Sequence, residues 1–183
     1  MKERLACFIE SNLKNVDERE IEAILKIFHL EDFKKGAIVK NANKQCTKLG
    51  FLISGSVRHV ILKNNGDELT GRITQRDNFV TDLISIRTKE KTPISIIALE
   101  PTSMLVASTE DARELLEVNL TFHRLVREYM GDRMVEVCIL LMLFMTGTAK
   151  DRYQFMLKNH PDLSRNIPLR FIASKMLDLL VKL

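Results

Sequence analysis

Basic side chains in two stretches of this sequence could bind an anion. Arg87, Lys89 and Lys91 lie close together near the middle of the chain. From Lys150 onward there are seven basic and three acidic residues, and this excess accounts for the whole formal net charge of +4. A basic end suits a unit that meets a polyanion such as DNA, although a solvated basic face explains the charge equally well.

No arrangement of residues typical of catalysis or metal binding is present. Cys7, Cys46 and Cys138 are widely scattered without a C-x-x-C or Cys/His cluster, which argues against structural zinc and a disulfide framework. Free thiols fit a reducing cytoplasm. His59 lies in a strand-like run and is interpreted as structural rather than as a haem ligand. Without a Ser/His/Asp, paired-carboxylate or phosphate-loop pattern, we predict no enzyme and no cofactor.

The composition is that of a globular protein with a buried core. Hydrophobic residues make up 45% and charged residues 28% of the 183-residue chain. The N-terminus has no signal-peptide pattern. The apolar run Val137–Met145 is too short for a membrane span, which needs ~20 residues. We therefore predict a cytoplasmic protein without a membrane segment.

Helical patterns flank a β-rich middle. Asp17 can cap a helix, with Glu20 placed to complete a capping box. After Ser108 the helical pattern returns, and a long helix is predicted from about Thr121 to Met145. Its apolar surface is too wide for one neighbour, which favours a parallel dimer seam; the alternative is a core helix inside a monomer. The predicted seam residues are Phe122, Val126, Tyr129, Met134, Val137, Leu141 and Phe144.

Short strand-like runs separated by turn residues fill the region from Ala37 to Ser108. Asn65-Gly66 is a strong signal for a hairpin with a type I′ turn. A second hairpin is predicted around Glu100-Pro101-Thr102. Several short strands at this spacing indicate a small barrel or roll.

Several stretches resemble the Crp/Fnr family of bacterial transcription regulators. The resembling stretches are Phe33–Val39, Gly50–Arg58, Asn65–Thr70, Arg152–Phe155, His160-Pro161 and Ile167–Ser174. The resemblance implies an α+β fold in which N-terminal helices and a double-stranded β-helix, or jelly roll, form a sensor domain over residues 1–119. It further implies a dimerisation helix over residues 120–147 and a partial winged helix-turn-helix domain over residues 148–183.

The resemblance also locates a ligand site, at which this chain departs from the family. Cyclic-nucleotide-binding members use a Gly-Glu pair at the ribose and an Arg, followed by Ser or Thr, at the cyclic phosphate. The aligned pairs here are Thr81-Asp82 and Thr92-Pro93. Asp82 could accept ribose hydroxyls, but Thr92 supplies no charge and Pro93 has no N–H. We expect no cyclic AMP binding of the usual kind, and Arg87 or Lys91 could reach another anion.

The C-terminal end resembles only the first helix of the helix-turn-helix. Lys175–Leu183 contains no glycine turn and no Ser/Thr/Arg run that could read base edges. Arg152, Arg165, Arg170 and Lys175 can contact phosphates. The sequence thus predicts a Crp/Fnr-like homodimeric transcription regulator with an unknown small-molecule effector and weak, non-specific DNA binding. The alternative is a truncated sensor or interaction module, and a longer reading frame would distinguish the two.

Overall fold

The computed structural model describes residues 1–63 and 65–159 of the chain. Two antiparallel sheets form a roll that helices precede and follow, so the predicted α+β fold class is confirmed. The helices are α1 Lys2–Asn12, α2 Glu18–Ile27, α3 Leu83–Thr88, α4 Thr109–Val118, α5 Leu120–Thr146 and α6 Ala149–Asn159. The strands are β1 His29–Phe33, β2 Ile38–Lys40, β3 Lys48–Ser54, β4 Ser56–Leu62, β5 Glu68–Gln75, β6 Phe79–Val80, β7 Ile94–Ala98 and β8 Thr102–Ser108.

The two sheets have the strand orders β1-β8-β3-β6 and β2-β7-β4-β5. Consecutive strands often belong to different sheets, so the hairpin predicted around Glu100-Pro101-Thr102 is wrong. β3 and β4 do not pair, because the chain turns a corner at Gly55, whose φ is +83°. A Cβ at Gly55 would lie 2.6 Å from the Pro101 carbonyl oxygen, so only glycine fits there. β7 and β8 likewise lie in different sheets, whereas β4 and β5 form a true hairpin.

Both faces of β8, β3 and β6 carry buried residues, and successive residues of a strand point to opposite sides of the sheet. Phe51 and Leu105 face a core shared with the helices, whereas Leu52 and Met104 face the interior of the roll. The helical core also contains Leu5, Ile9, Ile24, Phe28, Phe79, Phe122 and Leu125. The first turns of α5 therefore belong to the same core as the roll.

The N-terminus of α5 is held by Glu20, which the sequence analysis placed in a capping box with Asp17. Asp17 does cap α2, where its side chain accepts from the Arg19 N–H at 2.8 Å. Glu20 does not complete the predicted capping box. Its carboxylate instead accepts the backbone N–H groups of Leu120 and Thr121, each at 3.0 Å, at the positive end of the α5 dipole. Among the described residues, no helix is long and apolar enough to cross a membrane.

Candidate functional site

Two of the predicted ligand residues meet in a buried cluster with a lysine. The ammonium of Lys40, at the end of β2, donates to Asp82 Oδ2, Thr92 Oγ1 and the Ile94 carbonyl oxygen, each at 2.8 Å. Thr92 Oγ1 in turn donates to Asp82 Oδ2. The side chains of Lys40 and Asp82 are 7% and 0% exposed. We call these three residues the Lys40 cluster, in which all three ammonium hydrogens have acceptors.

The cluster also fixes the segment between β6 and β7. Asp82 is the N-cap of α3, and its Oδ1 accepts from the Ser85 N–H at 3.1 Å. Burial raises the pKa of Asp82, but hydrogen bonds from Lys40, Thr92 and the Ser85 N–H, with the charge of Lys40, outweigh it and lower that pKa below its usual value. The carboxylate is therefore ionised and engaged on both oxygens.

The other predicted ligand residues lie outside the cluster. Thr81 Oγ1 donates to the Lys48 carbonyl oxygen at 3.0 Å. Arg87 and Lys91 are exposed. Arg87 lies in the last turn of α3. The structure thus joins Asp82 and Thr92 and does not bring Arg87 or Lys91 to them.

Lys40 was missed because the sequence comparison considered only the two family motifs. Alternation gave no signal for Lys40, because burial along Ile38-Val39-Lys40 rises from exposed to buried and the register against β7 shifts within the strand. A buried lysine needs a carboxylate partner. Here that partner is Asp82, 42 residues further along the chain.

The predicted seam residues of α5 divide into two groups. Phe122 is buried, and Val126 and Tyr129 pack against the helical core, so these three face the chain's own roll. The Phe144 ring lies under the Arg152 guanidinium, 4.9 Å from its centroid. Met134, Val137 and Leu141 are about three-fifths exposed at 60%, 58% and 57%. They share the second half of α5 with exposed Val135, Met142 and Met145.

The structure places Arg152, one of the predicted phosphate contacts, between α5 and α6. Its side chain is buried, lies over the Phe144 ring and donates to the Gly147 carbonyl oxygen at 3.1 Å. It therefore joins α5 to α6. The other predicted phosphate contacts, Arg165, Arg170 and Lys175, lie outside the described residues.

The described residues hold no group of three or more His, Cys, Asp or Glu side chains that could bind a metal ion. All three cysteines are free, and only Cys46 is buried. His59 is buried in β4, with its Nε2 3.4 Å from Thr74 Oγ1, which fits the structural role assigned from the sequence.

Comparison with known proteins agrees with this architecture. The sequence matches the cyclic nucleotide-binding domain family over residues 30–119. Thermus thermophilus catabolite activator protein has a TM-score of 0.60 and 19% identity, covering 88% of this chain and 78% of that one. FixK2 from Bradyrhizobium japonicum has a TM-score of 0.68 and 12% identity, covering 82% and 77%. No curated protein sequence matches the chain.

A third solved structure, cAMP-bound PfPKA-R (141–441), has a TM-score of 0.55 and 16% identity. The alignment covers 62% of this chain but only 41% of that one, so the chain spans less than half of its length. At such identities the structural likeness shows the fold alone. Residues 30–119 thus match the cyclic nucleotide-binding domain model, and the roll is similar in fold to the solved structures above.

Proposed function

We propose that this chain is the sensor part of a Crp/Fnr-like transcription regulator that does not bind cyclic AMP in the family's usual way. The Lys40 cluster carries this proposal. Asp82 already accepts hydrogen bonds from Lys40, Thr92 and the Ser85 N–H, which leaves about one of its roughly four acceptor positions for a ribose. A cyclic phosphate would meet this carboxylate and find no guanidinium at Thr92.

Strand β6, which leads into the segment that carries Asp82, contacts α5. This contact supports a role in signalling. Tyr129 Oη accepts from the Phe79 N–H at 3.2 Å and from Arg72 at 3.4 Å. The Phe79 and Tyr129 rings meet edge to face with centroids 5.1 Å apart. Because Phe79 stands three residues before Asp82, a change at the Lys40 cluster could bias the position of α5. Such a two-state coupling is what a sensor domain requires.

Dimerisation through α5 is part of the proposal. The exposed side chains of Met134, Val137 and Leu141 lie on the second half of the helix, together with other exposed aliphatic residues. Contiguous apolar surface of this kind commonly marks an interface. A second copy packed in parallel would cover it with the same residues.

Titration calorimetry with cyclic AMP tests the ligand part. Loss of one desolvated charge-assisted pair commonly costs ~2–5 kcal/mol, a factor of ~30 or more in affinity. We expect no low-micromolar binding by the wild type. Lys40→Ile with Thr92→Arg, which restores a guanidinium and removes its competitor, should bind at least ~30-fold more tightly than Lys40→Ile alone. Low-micromolar affinity in the wild type would contradict the proposal.

Gel shifts on the gene's own upstream DNA and on scrambled DNA test whether the protein binds DNA and whether it prefers one sequence. We expect weak and equal binding to both, falling steeply with salt. Arg170→Gln should reduce the salt slope by about 1, because one phosphate contact is lost. Lys35→Gln, an exposed lysine before β2, serves as the matched control and should change nothing.

Two other outcomes of the gel shifts have clear meanings. Tight, selective binding at physiological salt would refute the prediction of non-specific binding and show that Lys175–Leu183 reads bases. No binding even at low salt would favour the second candidate, an interaction module without DNA-binding activity. The exclusion of Arg152 from the described surface is the observation that favours this second candidate.

A further inference from the structure

A cavity of about 180 Å³ lies inside the roll, next to the Lys40 cluster. Its floor is apolar and consists of Val39, Val80, Ile96, Met104 and Val106. Gly50 leaves this space open, since a Cβ there would approach Met104 Sδ to 3.2 Å. Lys40 also lines the cavity, whereas Asp82 and Thr92 do not, so the cavity adjoins the cluster on the side of Lys40.

The mouth of the cavity is polar and basic. It is formed by Asn41, Lys44, Gln45, Thr47 and Lys48, and no carboxylate lines it. Lys48 is paired with Glu31 at 2.7 and 2.8 Å, and the Lys40 ammonium is saturated within its cluster. Lys44 is exposed and has no carboxylate partner among the described residues. It is therefore the ammonium at the mouth that an anion could meet.

The cavity's size limits what it can hold. Its volume exceeds the ~150 Å³ of an apolar cavity that binds benzene, yet it lies below the ~300 Å³ at which pockets for larger ligands begin. We propose that it binds a small molecule with a compact apolar body and one anionic group, of about the size of benzoate. This deepens the proposed function by naming the chemical class of effector, and it requires neither DNA binding nor dimerisation.

The loop over residues 41–48, which forms the mouth, is hydrogen-bonded to the segment between β6 and β7, so a ligand at the mouth would be coupled to that segment. The Asn43 N–H donates to the Thr92 carbonyl oxygen at 2.7 Å. The Cys46 N–H donates to Ser85 Oγ, in α3, at 2.9 Å. A ligand held at Lys44 would therefore rest on a loop that is bonded to both ends of the segment fixed by Lys40.

Cys46 provides a readout of occupancy, because it is buried and lines the cavity, whereas Cys7 and Cys138 are exposed. In a Cys7→Ser, Cys138→Ser variant, the rate at which a thiol reagent modifies Cys46 should fall saturably as benzoate is added. The Met104 methyl NMR signal should shift over the same concentration range. Benzyl alcohol, which matches the shape without the charge, should bind about 2- to 5-fold more weakly.

Lys44→Gln should weaken benzoate binding by about 2- to 5-fold and leave benzyl alcohol unaffected. Lys35→Gln, with an exposed lysine that does not line the cavity, is the matched control and should leave both affinities unchanged. The absence of saturable protection and of a Met104 shift at millimolar benzoate would overturn the proposal, as would equal losses in both lysine variants. Either failure leaves the cyclic AMP and DNA tests unaffected, so the two proposals fail separately.

Discussion

Lys40→Met should destabilise the protein far more than a comparable change at an exposed lysine. Methionine keeps the apolar stem of the side chain but leaves the Asp82 carboxylate, whose side chain is 0% exposed, without its cation. Breaking a buried ion pair by removing one partner costs ~3–5 kcal/mol. In a chain of this length, each kcal/mol lowers Tm by about 2–4 °C, so the expected fall is about 6–20 °C.

Lys48→Met is the matched control, because Lys48 is 45% exposed and its partner Glu31 is 25% exposed. Loss of such a surface pair costs ~0–1 kcal/mol. Asp82→Asn completes a double-mutant cycle, since asparagine still caps α3 while its charge is removed. The double variant should be more stable than Lys40→Met alone, with a coupling energy above about 1 kcal/mol.

Urea unfolding followed by far-UV circular dichroism measures these differences, since the chain has no tryptophan to report fluorescence. The lowered pKa of Asp82 adds a pH signature. Stability from Asp82 is present above its unfolded pKa of ~3.9 and is lost as the pH falls through the lower folded value. Asp82→Asn should lack this acid-dependent part. A Lys40→Met loss below about 1 kcal/mol, or one equal to that of Lys48→Met, would refute the reasoning.

Three further changes test other parts of the structure. Glu20→Gln should cost up to about 1 kcal/mol in urea unfolding. Because hydrogen bonds lower the pKa of Glu20, that cost should vanish in acid, and a pH-independent loss would contradict the charge argument. Met134→Glu with Leu141→Glu should give monomer or aggregate in light scattering, whereas a wild-type monomer at tens of micromolar would refute the α5 dimer. Gly55→Ala should destabilise more than Gly66→Ala, since both have positive φ but only Gly55 is crowded; equal losses would exclude crowding as the cause.

The elements that local signals specify could be predicted from the sequence. Helical structure returns after Ser108 as expected, and Ser108 caps α4 by accepting from the Asp111 N–H at 2.9 Å. The long helix begins one residue before its predicted start and ends one residue after its predicted end. The sheet to which each strand belongs could not be predicted in this way, because the sequence around Gly55 is also typical of a hairpin turn. Whether β4 pairs with β3 or joins the other sheet depends on contacts of Gly55 with Pro101 and Thr102, which lie far along the chain.

The candidate site likewise contains some residues that local sequence identifies and others that only the folded structure brings together. The resemblance located Asp82 and Thr92, because both stand at positions that align with short motifs of the family. Lys40 is 42 residues from Asp82, and its role depends on which strand lies beside which in the folded roll. The position of Arg152 could not be predicted for a similar reason, since its sequence neighbours are charged while its side chain lies against the Phe144 ring.

Under the proposed function, the Lys40 cluster limits which ligand chemistry the roll can accept. Its ammonium and carboxylate neutralise each other, so a bound anion would have to displace Asp82 from Lys40. Asp82 cannot leave without also releasing the Ser85 N–H at the start of α3 and the hydroxyl of Thr92. Because those groups would be buried without partners, displacement costs about 1–3 kcal/mol for each lost hydrogen bond before any ligand contact forms. A ligand that occupies the cavity beside the cluster avoids this cost. It would still contact the loop that carries Lys44, which is hydrogen-bonded to the segment between β6 and β7.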